Sequence, residues 1–253
     1  MAERLVTLVT GASAGIGEML AREAARRGHA LVLTARREDR LRALADELGG
    51  DVIAADLTDR QGPAHLAATL AERGLSVDVL INNAGLGQRG QVSSIALDRQ
   101  LAQIDVNIRA LTELTVRLMP AMVARRRGGI LNVASTAAFQ PGPNMAVYYA
   151  TKAYVLSFSE ALHEELLPHG VKVSALCPGP THSEFAAHAD MDRSELFKRF
   201  AGDAAAVAKH GLDGLERNRA VNVSGVMNNV MAASTRFSPR AVNRKLAGWL
   251  QRN

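Results

Sequence analysis

The sequence carries one cysteine, Cys177, in 253 residues. That excludes an internal disulfide framework and a cysteine-built structural zinc site, and it suits a reducing cytoplasm. Aromatic residues make up only 4%, too few for a platform that stacks single-stranded nucleic acid. No apolar run approaches the ~20 residues of a membrane-spanning helix. Acidic Glu3 and basic Arg4 precede a short apolar run, which does not read as a secretory leader. The 7 histidines show no H-E-x-x-H or other tight spacing, so no metal site is expected. Internal repeats and Gly/Ser/Pro-rich linkers are also absent, which leaves residues 1–253 as a single domain.

The chain does have a modest positive balance, 30 Lys+Arg against 25 Asp+Glu, or +5. Its densest basic run is Arg125-Arg126-Arg127. The run falls at the end of an expected helix, where cations complement the helix dipole, so no nucleic-acid partner is expected. Short β-branched runs alternate with longer stretches rich in Ala, Leu, Arg and Glu. Strands are expected at 5–10, 30–35, 52–55, 77–81, 130–134, 171–176 and 219–223. Helices are expected at 15–27, 38–48, 64–73, 96–123, 146–167, 225–235 and 239–250. This βαβα rhythm predicts an α/β fold: a doubly wound, Rossmann-type parallel sheet of about seven strands with helices on both faces. The strands lack polar alternation, as strands buried on both faces do. The low-charge stretch after Arg219 is too short and Asn-rich to span a bilayer and reads as a core or subunit-facing helix.

The first expected strand runs into Thr10-Gly11-Ala12-Ser13-Ala14-Gly15-Ile16-Gly17. Glycines let a backbone turn tightly and approach a ligand, and the helix that follows aims free N–H groups and its positive dipole end at the turn. That arrangement suits a pyrophosphate. The end of the second strand distinguishes dinucleotides. A carboxylate there favours the ribose 2′-hydroxyl of NAD, whereas arginine accommodates the 2′-phosphate of NADP. Here Arg36-Arg37 follows the strand, which favours NADP(H). Asp39 lies close enough to leave NAD(H) open.

Tyr148 and Lys152 are four residues apart on an expected helix, so they share a face. An ammonium beside a phenol favours the phenolate and lowers the phenol pKa from its usual ~10, making tyrosine a usable acid and base. Ser135 closes the fifth strand, where it could hydrogen-bond a substrate oxygen. Tyr149 is a rival for Tyr148 by position alone.

Together these residues make the chain resemble the short-chain dehydrogenase/reductase family, from about Leu5 to Ser183. The ordered set is Thr10-Gly11-x-x-x-Gly15-Ile16-Gly17, Asp56-Leu57, Asn82-Asn83-Ala84-Gly85, Asn107, Ser135, Tyr148, Lys152 and Pro178-Gly179. Within the family it looks like the broad bacterial reductases described as DltE-like, because it lacks the glycine-rich ending of 3-oxoacyl carrier-protein reductases. The resemblance implies an NADP(H)-dependent oxidoreductase acting on a small carbonyl compound or secondary alcohol. A catalytically silent dinucleotide sensor on the same fold is the alternative, since fold does not fix function.

Under the resemblance, Tyr148 is general acid and base, Ser135 orients the carbonyl, and Lys152 holds the nicotinamide ribose. Alignment with Ser135 and Lys152 selects Tyr148 over Tyr149. Asn107 positions a water linked to Lys152. Gly11, Ser13, Ala14, Gly15, Ile16 and Gly17 cradle the cofactor. Asp56 and Leu57 meet its adenine, and Asn83, Ala84 and Gly85 line it. Pro178 and Gly179 pass the nicotinamide, beside a hydroxyl from Thr181 or Ser183. Residues 181–217, a loop with one or two helices, become a substrate lid, with His182, Phe185, His188 and Met191 as lining candidates, and 225–250 form C-terminal helices. Helices at 96–123 and 146–167 are expected to pair subunits into a homodimer or homotetramer.

Overall fold

The structure is a computed structural model that describes residues 4–182, 184–185 and 202–250. Its elements, in chain order, are β1 (Val6–Thr10), α1 (Gly15–Arg26), β2 (Ala30–Thr34), α2 (Glu38–Leu48), β3 (Asp51–Val52) and α3 (Gly62–Glu72). There follow β4 (Val79–Asn82), α4 (Leu97–Ile104), α5 (Leu111–Arg125), β5 (Gly128–Val133) and α6 (Ala146–Leu166). The chain continues through β6 (Val171–Cys177), α7 (Ala204–Glu216), β7 (Val221–Val223), α8 (Val226–Ser234) and α9 (Arg240–Leu250). The seven strands form one sheet in the order β3-β2-β1-β4-β5-β6-β7, and every pairing is parallel. This is the doubly wound sheet that the alternating pattern predicts.

Strand side chains alternate between two buried faces. Val9, Leu33 and Ile81 point to one, where they meet Leu20, Ala21 and Ala24 of α1. Leu8, Val32 and Leu80 point to the other, against Leu66 and Leu70 of α3 and Leu114 of α5. Both faces are therefore dry, which is why the strands read as unbroken apolar runs. The third strand is shorter than expected, two residues in place of 52–55. The pairing nevertheless continues past it, from Ile53 N–H to the Leu33 carbonyl and from Ala55 N–H to that of Ala35, each at 3.1 Å.

Two further differences concern helices. The stretch 96–123 is not one helix: a π-helical turn, Asp105–Ala110, separates α4 from α5. It buries Val106, Asn107 and Ala110. The expected lid, 181–217, contains one of the helices expected in it, but that helix belongs to the core. It is α7, whose Val207, Ala208, Leu212 and Leu215 pack in the core beneath α1. A Cβ on Gly211 would lie 2.7 Å from Leu176 of β6, so α7 lies directly on the sheet. Arg27 fastens it to α1 through Asp213 at 2.6 Å and Glu216 at 2.5 Å. Ser183, His188 and Met191 lie outside the described residues.

The basic run at the end of α5 is spent on neighbouring turns. Arg125 donates to Ser76 Oγ and the Val77 carbonyl, and Arg126 to the Pro168 carbonyl. Arg127 lies 3.5 Å from Asp78. Among the described residues no helix is long and apolar enough to cross a membrane.

Candidate active site

Strand order reverses between β1 and β4, and in an open parallel sheet the crevice beyond the carboxyl ends at such a point is where ligands bind. A cavity of about 360 Å³ opens there, within the range of small-molecule sites. Its floor is the glycine turn, Gly11 and Ser13 to Gly17. Gly11 and Gly15 have φ of +67° and +60°, conformations that favour glycine. Gly17 has no room for a side chain, because a Cβ would lie 2.2 Å from the Gly11 carbonyl oxygen. Ala14 caps α1 without a side-chain hydrogen bond, so the first N–H groups of the helix remain available to an anion in the cavity.

The Asn82–Gly85 stretch forms the adjoining wall. Thr10 Oγ1 accepts from the N–H groups of Asn83 and Ala84 at 2.9 and 3.0 Å, and Asn83 Nδ2 donates to the Thr10 carbonyl at 2.8 Å. Asn83, Ala84 and Gly85 therefore line the cavity while locking the end of β4 to the glycine turn. Arg36 and Arg37 stand at one end. A smaller adjoining cavity of about 160 Å³ is bordered by both arginines together with Asp56 and Leu57. Asp56 also caps its own turn, accepting from Thr58 N–H and Oγ1 at 2.9 and 2.8 Å.

At the other end of the main cavity are Ser135, Tyr148 and Lys152. Ser135 leaves β5 as the cap of a short 3₁₀ turn and accepts from Ala137 N–H at 3.1 Å. With that acceptor site engaged, its own proton can turn toward the Tyr148 hydroxyl, whose pKa it pulls down. Tyr148 and Lys152 are both buried in the first turns of α6. Lys152 Nζ donates to the Val133 carbonyl at 2.7 Å and lies 5.9 Å from the centre of the Tyr148 ring. Tyr149 lines the cavity too, but it is the Tyr148 phenol on which Ser135 acts.

The electrostatics correct one expectation. Burial pushes the Tyr148 phenol up to about 12, against a smaller downward pull from the Ser135 hydrogen bond. Burial likewise pushes Lys152 down to about 8. Desolvation penalises both charged forms, and in this closed environment it outweighs the help expected from the neighbouring ammonium. The result is a protonated phenol throughout the neutral range, beside an amine that titrates within it.

Asn107 is buried in a web of direct hydrogen bonds. Its Oδ1 accepts from Leu86 N–H at 2.8 Å, and its Nδ2 donates to the Leu86 carbonyl and to Thr151 Oγ1, each at 2.9 Å. Thr151 Oγ1 in turn donates to the Tyr148 carbonyl at 2.7 Å. The Asn107 amide thus braces the β4 loop against the helix turn that carries Tyr148, and the π-helical turn brings it there. Sequence reasoning misses Thr151, whose only local signal is a hydroxyl three residues after Tyr148.

Pro178, Gly179 and Thr181 line the cavity after β6. Of the two candidate hydroxyls, Thr181 is thus at the site; it donates to the Gly179 carbonyl at 3.0 Å. Phe185 also lines it, with its ring 5.8 Å from that of Tyr148, whereas His182 is exposed. Glu184, also missed from sequence, pairs with Arg40 and Arg37, and those arginines hold its carboxyl down at about 2.

The residues present fit a dinucleotide. A glycine cradle too tight for side chains, an uncapped helix start and two arginines occupy one part of a cavity whose other part holds a buried Ser-Tyr-Lys set. The comparisons with known proteins agree. Residues 5–194 match the short chain dehydrogenase family. The chain is 40% identical over 178 residues to an NADP-dependent 3-hydroxy acid dehydrogenase of Salmonella typhi, covering 69% of this chain and 72% of that one. Among solved structures it resembles a short-chain dehydrogenase from Sphingobium yanoikuyae in complex with NADPH, with 34% identity, TM-score 0.80 and coverage of 92% and 94%. It also resembles a bulky-bulky ketone specific alcohol dehydrogenase from Comamonas testosteroni, with 31% identity, TM-score 0.78 and coverage of 92% of each chain. By its match over residues 5–194, as by its sheet order and its site, this chain is a member of the short chain dehydrogenase family.

Proposed function

We propose that the protein is an NADP(H)-dependent oxidoreductase that interconverts a ketone and a secondary alcohol. The observation that carries this reading is the meeting of Tyr148, Ser135 and Lys152, with the tyrosine and lysine buried, in the same cavity as the glycine cradle. Gly11 and Ser13 to Gly17 would hold the pyrophosphate, Arg36 and Arg37 the 2′-phosphate, and Asp56 and Leu57 the adenine. Asn83 to Gly85, Pro178, Gly179 and Thr181 would line the nicotinamide side. The bound cofactor supplies the hydride donor or acceptor.

The chain's own contribution is to orient the substrate and move a proton. The substrate oxygen accepts hydrogen bonds from Tyr148 and Ser135. In reduction the Tyr148 proton passes to that oxygen, leaving a phenolate whose charge faces the Lys152 ammonium. In oxidation the phenolate takes the alcohol proton back. Asn107 and Thr151 are positioning residues: they fix the helix turn so that the hydroxyl points into the cavity.

Charged side chains among the described residues lining the cavity are Arg36 and Arg37 at the cofactor end and Lys152. Around Tyr148 the lining is apolar or neutral, with Ala137, Tyr149 and Phe185. A ketone with apolar substituents fits that environment better than a keto acid, whose carboxylate would lose water with no cation in reserve. NADPH consumption against a panel of ketones and matching keto acids tests both levels. Turnover of neutral ketones at least about tenfold better in kcat/KM is expected, one order of magnitude being about 1.4 kcal/mol. A chain that binds NADPH and turns over no carbonyl would be a dinucleotide sensor instead.

The molecule also offers two separate apolar faces. Leu97, Leu101 and Ile104 of α4 are exposed in a row, as is Val116 of α5. Val226, Met227 and Val230 of α8 form another exposed group. Contiguous exposed apolar surface marks an interaction face, and pairing of identical faces gives a closed dimer or tetramer. Light scattering is expected to show such a homo-oligomer, and Leu101→Glu to shift it to a smaller species. A monomeric wild-type chain would overturn this assignment. The lone cysteine, free and buried, suits the cytoplasm, where we place the enzyme.

A further inference from the structure

The two arginines at the end of β2 are not equivalent. Arg36 is exposed and borders both cavities. Arg37 turns back toward the glycine turn, where its Nη2 lies 3.2 Å from Ser13 Oγ. Its Nη1 donates to Glu184 Oε2 at 2.7 Å, and Arg40 Nη1 donates to Glu184 Oε1 at 2.5 Å. One carboxylate therefore holds two guanidinium groups, one on each oxygen. A phosphate monoester would bind the same pair of donors in the same way, because arginine pairs with planar or tetrahedral oxyanions through parallel N–H bonds.

Glu184 stands far from Arg37 in sequence, 147 residues away, and reaches it from the segment that follows β6. Its neighbour Phe185 lies against the Tyr148 ring. This short piece of chain thus joins the arginine cluster to the substrate end of the cavity. The ion pairs are exchangeable, with side chains 39% exposed for Arg37, 47% for Arg40 and 41% for Glu184. Such pairs are individually weak and screened by solvent, so a ligand carrying more charge can take their place.

We propose that Glu184 sets cofactor discrimination by competing, as an internal anion, with the 2′-phosphate of NADP(H) for Arg37 and Arg40. The inference rests on the cofactor reading above and adds to it a residue outside the expected phosphate-binding pair. NADH has no 2′-phosphate and leaves the Glu184 pairs in place. NADPH must displace them, so part of its phosphate contact is offset by the lost carboxylate. Removing the carboxylate charge should tighten NADPH and leave NADH alone.

The test is titration of NADPH and of NADH, followed by cofactor fluorescence and by calorimetry, into the full chain and into Glu184→Gln and Glu184→Ala. Both variants change an exposed side chain, and circular dichroism checks that each is folded. The expected result is a Kd for NADPH lowered about three- to tenfold in both variants, the loss of two exposed charge pairs, with the Kd for NADH unchanged. Weakened NADPH binding, equal shifts for both cofactors, or no shift would each overturn the inference while leaving the cofactor reading intact. Failure of the unaltered chain to bind NADPH would overturn that reading and this inference with it.

Discussion

Tyr148→Phe is expected to lower kcat for ketone reduction by about 10²- to 10⁴-fold, the usual worth of a positioned general acid, with NADPH affinity unchanged within about twofold. The substitution removes one hydroxyl from a buried ring and leaves its packing alone. Tyr149 remains edge-on at 6.1 Å and Phe185 remains at 5.8 Å. What disappears is the proton donor on which Ser135 acts. Stopped-flow reduction with saturating NADPH, read beside a binding titration, separates the two effects. Equal activity in the variant would remove Tyr148 from the chemistry, and loss of cofactor binding would make its role structural.

The pH dependence follows from the same pair. Reduction needs a protonated phenol, and Tyr148 stays protonated up to about 12. It also needs a cation to receive the phenolate, and Lys152 loses its proton near 8. The rate of reduction should therefore hold steady below pH 8 and fall above it. Oxidation needs the phenolate at the start, so its rate should rise with pH, up to about tenfold per unit below the phenol pKa. In Lys152→Met the fall in reduction near pH 8 should vanish along with most of the activity. A pH profile of Lys152→Met that keeps the wild-type break would assign the break to another group.

Much of this site is legible in short stretches of sequence. The glycine turn, Asn82 to Gly85 and the Tyr148–Lys152 pair each lie within eight residues. Strand and helix periods then order them along one edge of a parallel sheet. What sequence cannot show is what joins residues far apart. The Asn107–Thr151 bond spans 44 residues and the Arg37–Glu184 pair 147, and no local pattern encodes either. The π-helical turn is hidden because it keeps apolar residues coming at helical intervals: Ile104, Ile108 and Leu111 are four and three residues apart and read as one uninterrupted helix. α7 falls within the expected lid because no local signal shows that its Gly211 and Gly214 pack inward. Both are glycine for packing reasons, Gly211 against Leu176 and Gly214 against Asn222. The pKa directions escape for a related reason, since spacing puts Lys152 beside Tyr148 and burial is a property of the whole fold.

Gly17→Ala is expected to have the second large effect, on cofactor binding and stability together. Gly17 is the third glycine of the turn and lies inside α1, where alanine would ordinarily help a helix. Here a Cβ would stand 2.2 Å from the Gly11 carbonyl oxygen and 2.3 Å from Asn83 Nδ2. Neither can retreat cheaply. Gly11 is backbone in a positive-φ turn, and Asn83 Nδ2 is held by the Thr10 carbonyl. One methyl group thus wedges α1 away from β1 and from the β4 loop, the three pieces that shape the pyrophosphate cradle. Overpacking of this kind costs about 1–3 kcal/mol or more, and because it acts at the cradle, NADPH affinity should drop at least about tenfold. Gly28→Ala is the control. Gly28 has φ of +82°, and a methyl group there would meet nothing within 4 Å. Alanine at that position therefore suffers backbone strain of about 1–2 kcal/mol and no clash. Thermal unfolding temperature should fall in both variants, and NADPH affinity only in Gly17→Ala. Wild-type affinity in Gly17→Ala would mean that α1 can move off the turn without opening the cradle, and the phosphate would then have to be held chiefly by Arg36 and Arg37.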